Sequence, residues 1–243
     1  MTQLVAGGWA ALAAASLAIG CAVTLRLRPS TRVIGLTMGF GAGALISATS
    51  YELVGEAVKS HGPVVLGMTV GALTFWAADT IVDRRGGEDR KRIEGNRAAD
   101  GSGPAILLGT LLDGIPESFV LGISVAVDGV VSVAFLVAVF VSNLPEAIAA
   151  TGSLAATGWP GQRLLTLWLW VVVASAVAGL VGAVTVSALP AADGAFAQAF
   201  GAGAVLTMLA DGMMPEAFEH GGRVVGLVTV LGFIVSAALS RLA

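Results

Sequence analysis

Eight apolar stretches, each near the roughly 20 residues that a helix needs to cross about 30 Å of hydrocarbon, restrict what this sequence can fold into. They run approximately over residues 4–25, 33–53, 63–82, 103–126, 130–156, 164–189, 194–218 and 224–239. In lipid, backbone polar groups must be satisfied inside a helix or around a closed barrel, and these stretches are too long for barrel strands. An all-α polytopic membrane bundle of eight transmembrane helices, a single domain over 1–243, is therefore expected. Charge content agrees. Only 12% of the residues are charged, against roughly 25% in a soluble domain, too few to clothe a water-facing shell.

The basic residues set the expected orientation. With the N-terminus outside, the inner loops receive Arg26, Arg28 and Arg32, then Arg84, Arg85, Arg90, Lys91, Arg92 and Arg97, then Arg163 and Arg223. Only Lys59 and Arg241 fall outside. This bias predicts both termini outside, and the compact, bacterial-looking chain points to a multi-pass protein of the cell (inner) membrane. Met1–Leu4 has no basic flank, so no cleavable signal peptide is expected. The hydrophilic stretch 83–102, mixed in charge and interrupted by glycine, reads as a cytoplasmic loop between the third and fourth segments. Cys21 is the one cysteine, which excludes an internal disulfide and a cysteine-cluster metal site. The expected partners are the lipid bilayer and, as one arrangement, a second copy in a homodimer. Nothing points to nucleic acid.

Small residues at four-residue intervals predict close helix packing: Gly35, Gly39 and Gly43 in the second segment, Gly67 and Gly71 in the third. Trp168 and Trp170 fit either interfacial anchoring or helix contact.

Ionisable residues inside apolar spans are costly and mark pathways, relays or counter-ions. The fourth segment reads LLDGIPES, with Asp113 and Glu117 near its midpoint; the fifth reads VSNLPEA, with Ser142, Asn143 and Glu146. The seventh reads ADGMMPEAFEHGG, with Asp211, Glu216, Glu219 and His220. Each has a polar residue followed by Pro-Glu. Asp113 and Glu117 are four apart, as are Ser142 and Glu146, so each pair shares a helical face. Pro116, Pro145 and Pro215 lack an N–H, which frees the carbonyls of Leu112, Val141 and Asp211. Carboxylates beside freed carbonyls at membrane depth form a set of oxygen ligands, as at the broken helices of transporters.

Over its whole length the chain resembles the ZIP (Zrt/Irt-like) family of divalent-metal transporters. That family has eight helices, both termini outside and a variable cytoplasmic loop after the third helix. Its metal site uses His-Asn-x-Pro-Glu on the fourth helix and a similar polar-polar-x-Pro-Glu motif on the fifth. Asp113-Gly114-Ile115-Pro116-Glu117 aligns with the first and Ser142-Asn143-Leu144-Pro145-Glu146 with the second. The resemblance implies that Asp113, Glu117, Ser142, Asn143 and Glu146 line a metal site, and that zinc is taken up towards the cytoplasm. Two departures stand out: Asp113 replaces the family's histidine and Gly114 the following asparagine. The sixth segment has no acidic residue, which puts a second metal in doubt.

The resulting donor set is all oxygen, suiting Mn²⁺ or Fe²⁺ as readily as Zn²⁺, whose sites more often include imidazole or thiolate. The divalent ion is cargo rather than a resident cofactor, with zinc first and Mn²⁺, Fe²⁺ and Cd²⁺ behind it. Glu52, Glu56 and His61 near one membrane surface, and Asp79, Asp83, Asp211, Glu216, Glu219 and His220 towards the other, sketch a route through the bundle. No enzyme activity is expected: an intramembrane aspartyl protease would use two of Asp79, Asp113 and Asp211 sharing a proton, and the GxGD motif is lacking around Asp113, where the sequence reads GTLLDG. A proton-coupled organic-solute transporter is the remaining alternative.

Overall fold

A computed structural model describes residues 2–59, 63–84, 103–188 and 191–241, with backbone alone at 103–108 and 191–193. The stretch expected as a loop lies outside the described residues from residue 85 onward, as does His61.

The described residues are all-α and form eight helical rods. We label them α1 (Thr2–Leu27), α2 (Thr31–Lys59), α3 (Val64–Val82), α4 (Gly103–Asp128), α5 (Val133–Ala156), α6 (Gly161–Ala188), α7 (191–221) and α8 (Val224–Ser240). Among the described residues six, α1 to α6, contain stretches long and apolar enough to cross a membrane. The apolar α8 is shorter, and α7 carries Asp211, Glu216 and Glu219 in its second half. The protein is a polytopic membrane protein. Consistent with lipid as the outer solvent, Leu66, Trp76, Trp170, Leu227 and Ile234 are exposed on the bundle surface.

Local chemistry sets the ends of the rods. Ser30 and Ser132 cap α2 and α5, their hydroxyls accepting from the amides of Val33 and Phe135, which satisfies one of the orphan N–H groups of each first turn. Gly129 and Gly158 turn the chain between α4 and α5 and between α5 and α6, with φ of 75° and 88°, a region open to glycine without steric cost.

Two rods are not uniform. α2 comprises Thr31–Ala48, a π-helical segment Thr49–Val54 and a last turn, Gly55–Lys59. It thereby runs six residues beyond the expected end at Leu53. α7 comprises Ala191–Met208, a π-helical segment Leu209–Met213 and Met214–Gly221. Pro215 sits in the first turn after the second π segment, where its missing N–H is tolerated. By contrast, α4 and α5 run through Pro116 and Pro145 as continuous helices.

Glycine contacts hold the rods close. A methyl at Gly43 would collide with the Thr229 carbonyl on α8, one at Gly71 with the Phe200 carbonyl on α7, and one at Gly122 with the Gly179 carbonyl on α6. The expected small-residue faces are thus packing faces, and without them these backbones could not approach so closely. α1 lies between α5 and α6; α4 packs mainly on α6, and α5 mainly on α1 and α2. Only a thin contact joins α4 to α5 directly. Trp168 is a core residue, its indole N–H donating to the Thr151 hydroxyl at 2.8 Å, whereas Trp170 is exposed. Cys21 is buried among Leu17, Ala147 and Trp168. The main apolar cluster lies where the inner faces of α2, α4, α5 and α7 meet, around Leu45, Leu121, Val139 and Val205.

Candidate functional site

Asp113 and Glu117 are 4% and 1% exposed. These two carboxylates of α4 therefore point into the bundle, whereas Asp128 at its end is exposed. Glu117 stands eleven residues before Asp128, the end of α4, and Asn143 ten after Val133, the start of α5. At 1.5 Å per residue both lie about 15 Å below the turn joining α4 and α5, half the hydrocarbon thickness. Ionised carboxylates at that depth need a proton, hydrogen bonds or a cation to offset their lost hydration.

The α5 motif is clamped from two sides. A methyl at Gly20 of α1 would meet the Leu144 carbonyl at 2.8 Å, and one at Gly41 of α2 would meet the Ser142 Cα at 2.8 Å. These glycines let two backbones close on the segment preceding Pro145. Ser142 is buried against α2, and its hydroxyl donates to the Val139 carbonyl at 3.0 Å. Its oxygen retains lone-pair capacity for a cation but is tied to its own helix. Asn143 is buried and Glu146 half-buried. Gly114, also buried, has no atom within 4 Å of where a β-carbon would stand. Open space therefore lies beside Asp113, at the position where the resemblance would put asparagine.

The second half of α7 forms a different group. Glu216, Glu219 and His220 offer donor atoms within 4.8 Å of one another, the one such acid–histidine trio among the described residues. Glu216 is buried, His220 half-buried and Glu219 exposed. The His220 Nδ1 lies 3.1 Å from the Glu216 carbonyl and 3.4 Å from its Oε1. Asp113, Glu117 and Glu146 do not form an equally tight trio. α7 also approaches α4 where a methyl at Gly201 would strike Val120. Counting along both rods from that contact puts Glu216 about 12 Å beyond Asp113, towards the end of the bundle bearing the α1–α2 turn.

The other expected pathway residues are scattered. Glu52 is half-buried in the π segment of α2, Asp211 is exposed in that of α7, and Asp79 is half-buried near the end of α3. At the end of the bundle that bears the α4–α5 turn, Glu56 pairs with Lys59, and Asp128 lies within the field of Glu52, Glu56 and Lys59. At the opposite end a cavity of about 420 Å³ opens between α1, α2 and α5, lined by Thr24, Thr31, Ile34, Ile148 and Gly152. Its wall begins two residues after Glu146. A smaller groove of about 240 Å³ runs behind Pro116 between α3, α4 and α7, lined chiefly by Phe75, Leu112, Phe119 and Phe200. Its apolar wall gives a cation no ligand.

Sequence reasoning missed both the π segment at Glu52, which no proline announces, and the clamp by Gly20 and Gly41. It also passed over the buried Ser124 of α4. A legible signal existed, because Asp113, Glu117, Ser124 and Asp128 all fall within about 60° on the α4 helical wheel.

No family model matches this sequence, and no curated protein matches it.

Proposed function

We propose that the chain is a ZIP-like transporter that moves a divalent cation towards the cytoplasm, its termini outside, in the cell (inner) membrane. One observation carries the reading: Asp113 and Glu117 are buried on one face of an apolar span at mid-depth, where a transport site best repays the cost of burying carboxylates. The cation would be bound by Asp113, Glu117, Asn143 and Glu146, with Ser142 a weak or water-mediated ligand.

The chemistry follows from the donor set. A hydrated divalent ion exchanges waters for carboxylate and amide oxygens, and its charge offsets the buried negative charge. When the ion leaves, protons take its place on the carboxylates. Metal and protons thus compete for the same oxygens, and binding weakens as the medium becomes acidic. Release would come from α4 and α5 moving relative to a more rigid group of rods, and the thin contact between α4 and α5 leaves them free to shift against each other. Glu216, Glu219 and His220 then serve as an exit station, where imidazole and carboxylate recapture the ion before it regains its full hydration shell.

Resemblance puts zinc first. A second reading, selectivity for Mn²⁺ or Fe²⁺, rests on Asp113 standing where the family has histidine, which leaves the mid-depth donors all oxygen. The test is uptake into proteoliposomes of Zn²⁺, Mn²⁺, Fe²⁺ and Cd²⁺ by the wild type, Glu117→Ala and Glu146→Ala. The proposal predicts uptake by the wild type and its loss in both variants, and the preferred ion decides between the two readings. Well-folded wild-type protein without divalent-ion flux would overturn the proposal in favour of a proton-coupled organic-solute transporter.

A further inference from the structure

Three polar side chains, one each on α2, α4 and α7, are buried where an apolar core would be cheaper. Gln198 of α7 and Ser124 of α4 are each 1% exposed, and Thr49, the first residue of the α2 π segment, is fully buried. The Gln198 Nε2, the Ser124 Oγ and the Thr49 Oγ1 have no hydrogen-bond partner among the described residues. They stand on packed elements, since the Thr49–Val54 segment and α4 both lie against α7.

Two contacts place Gln198 and Ser124, while Thr49 is placed by the packing of its segment on α7. A methyl at Gly201 would strike Val120, and one at Gly194 would come within 3.8 Å of Val127. Gln198 lies between the two glycines and Ser124 between the two valines, so the two polar residues share a level on facing rods. That level is about 10 Å from Glu117, towards the α4–α5 turn. Around them Leu53, Val120, Leu121 and Val205 form part of the main apolar cluster. A buried polar atom without a partner costs folding free energy, and native cores keep such groups rarely. Alanine, valine or leucine would fill these positions without that cost.

We infer that Thr49, Ser124 and Gln198 form a second, uncharged cation-transit site, shut in this conformation and opened towards the end bearing the termini in another. Its ligand is a still-hydrated divalent cation. A hydroxyl or amide oxygen can replace a few waters, and the amide can turn its oxygen inward. With no carboxylate the site binds weakly and passes the ion on. The inference rests on the transport reading and adds a site to it. A cation would then descend from Thr49, Ser124 and Gln198 to Asp113 and Glu117, and on to Glu216 and His220, in steps of about 10 Å.

The single cysteine makes the test direct. In a Cys21→Ala background reconstituted into liposomes, Ser124→Cys and Gln198→Cys are treated with a membrane-impermeant thiol reagent from the side bearing the termini. Leu17→Cys, buried in the cluster around Trp168, serves as the buried control and Val130→Cys, exposed in the α4–α5 turn, as the exposed one. Labelling of both test positions, slowed at least threefold by saturating Mn²⁺, is the expected result. Ser124→Ala and Gln198→Leu should in parallel keep or raise the melting temperature while slowing uptake at least threefold. Absence of labelling at both positions, with Val130→Cys labelled and Leu17→Cys protected, would overturn the inference. So would a fall in melting temperature that accounts for the slower uptake. Labelling that Mn²⁺ does not slow, together with wild-type protein that moves no divalent ion, would leave a hydrated lane and refute the cargo instead.

Discussion

Replacing Glu117 by glutamine should move two measurements in opposite directions. The substitution keeps the shape and most of the hydrogen-bonding capacity of a side chain that is 1% exposed, but it removes a charge. Keeping this carboxyl buried in the empty site costs free energy, whether as lost hydration of the charge or as the cost of taking up a proton. The metal-free variant should therefore be as stable as the wild type or more so, by about 1 kcal/mol. Metal binding should suffer, because one of the three carboxylates proposed to hold the ion is gone. A loss of about 2.7 kcal/mol corresponds to a hundredfold weaker Kd. At a metal concentration of 100 times the wild-type Kd, the wild type gains about 2.7 kcal/mol from the ion. The variant, whose Kd then equals that concentration, gains only RT ln 2, about 0.4 kcal/mol. Thermal melting in detergent with and without metal reads both numbers. The reasoning fails if Glu117→Gln melts well below the wild type without metal, which would make Glu117 a structural residue. It fails equally if the metal-induced shift survives undiminished.

Four further outcomes follow from the same geometry. Asp113→His should raise the preference for Zn²⁺ over Mn²⁺, read as competitive uptake, since it adds an imidazole to an all-oxygen donor set. Metal affinity should fall as pH is lowered, because protons and the ion compete for the same carboxylate oxygens. The limit is tenfold per pH unit for each proton the ion displaces, and titration calorimetry in buffers of differing ionisation enthalpy counts those protons. Thr151→Val should lower stability by about 1–3 kcal/mol by stranding the buried indole N–H of Trp168, seen as a lower melting temperature. Gly43→Leu should part α2 from α8, because its side chain would start inside the Thr229 carbonyl. Overpacking of this kind costs about 1–3 kcal/mol or more, again read by melting.

What was legible in the sequence, and what was not, divides along physical lines. Helix number followed from hydrocarbon thickness, and the close pairs at Gly43 and Gly71 from small residues at four-residue spacing, because both are properties of one segment at a time. The burial of Asp113 and Glu117 was readable for the same reason, since a four-residue interval puts two side chains on one face. The extension of α2 to Lys59 was not, because a π turn without proline leaves no mark in composition. Nor could the sequence show that Pro116 and Pro145 sit in continuous helices while the break belonging to Pro215 is taken up by the π segment before it. That depends on neighbouring rods, which hold α5 between Gly20 and Gly41. Gln198 escaped notice because one amide in an apolar segment looks like a surface residue until α4 is found packed against it. The tight grouping of Glu216, Glu219 and His220, rather than of the mid-depth carboxylates, likewise needed three dimensions.

The central claim is that the cargo ion binds at mid-depth between α4 and α5. Its most direct test is anomalous diffraction from crystals of the purified protein grown with Mn²⁺ or Zn²⁺. The account predicts a peak within about 2.5 Å of oxygens of Asp113 and Glu117, lost in Glu117→Ala, with a second peak at Glu216 and His220 permitted. A peak at Glu216, Glu219 and His220 alone, or none at saturating metal, would contradict it.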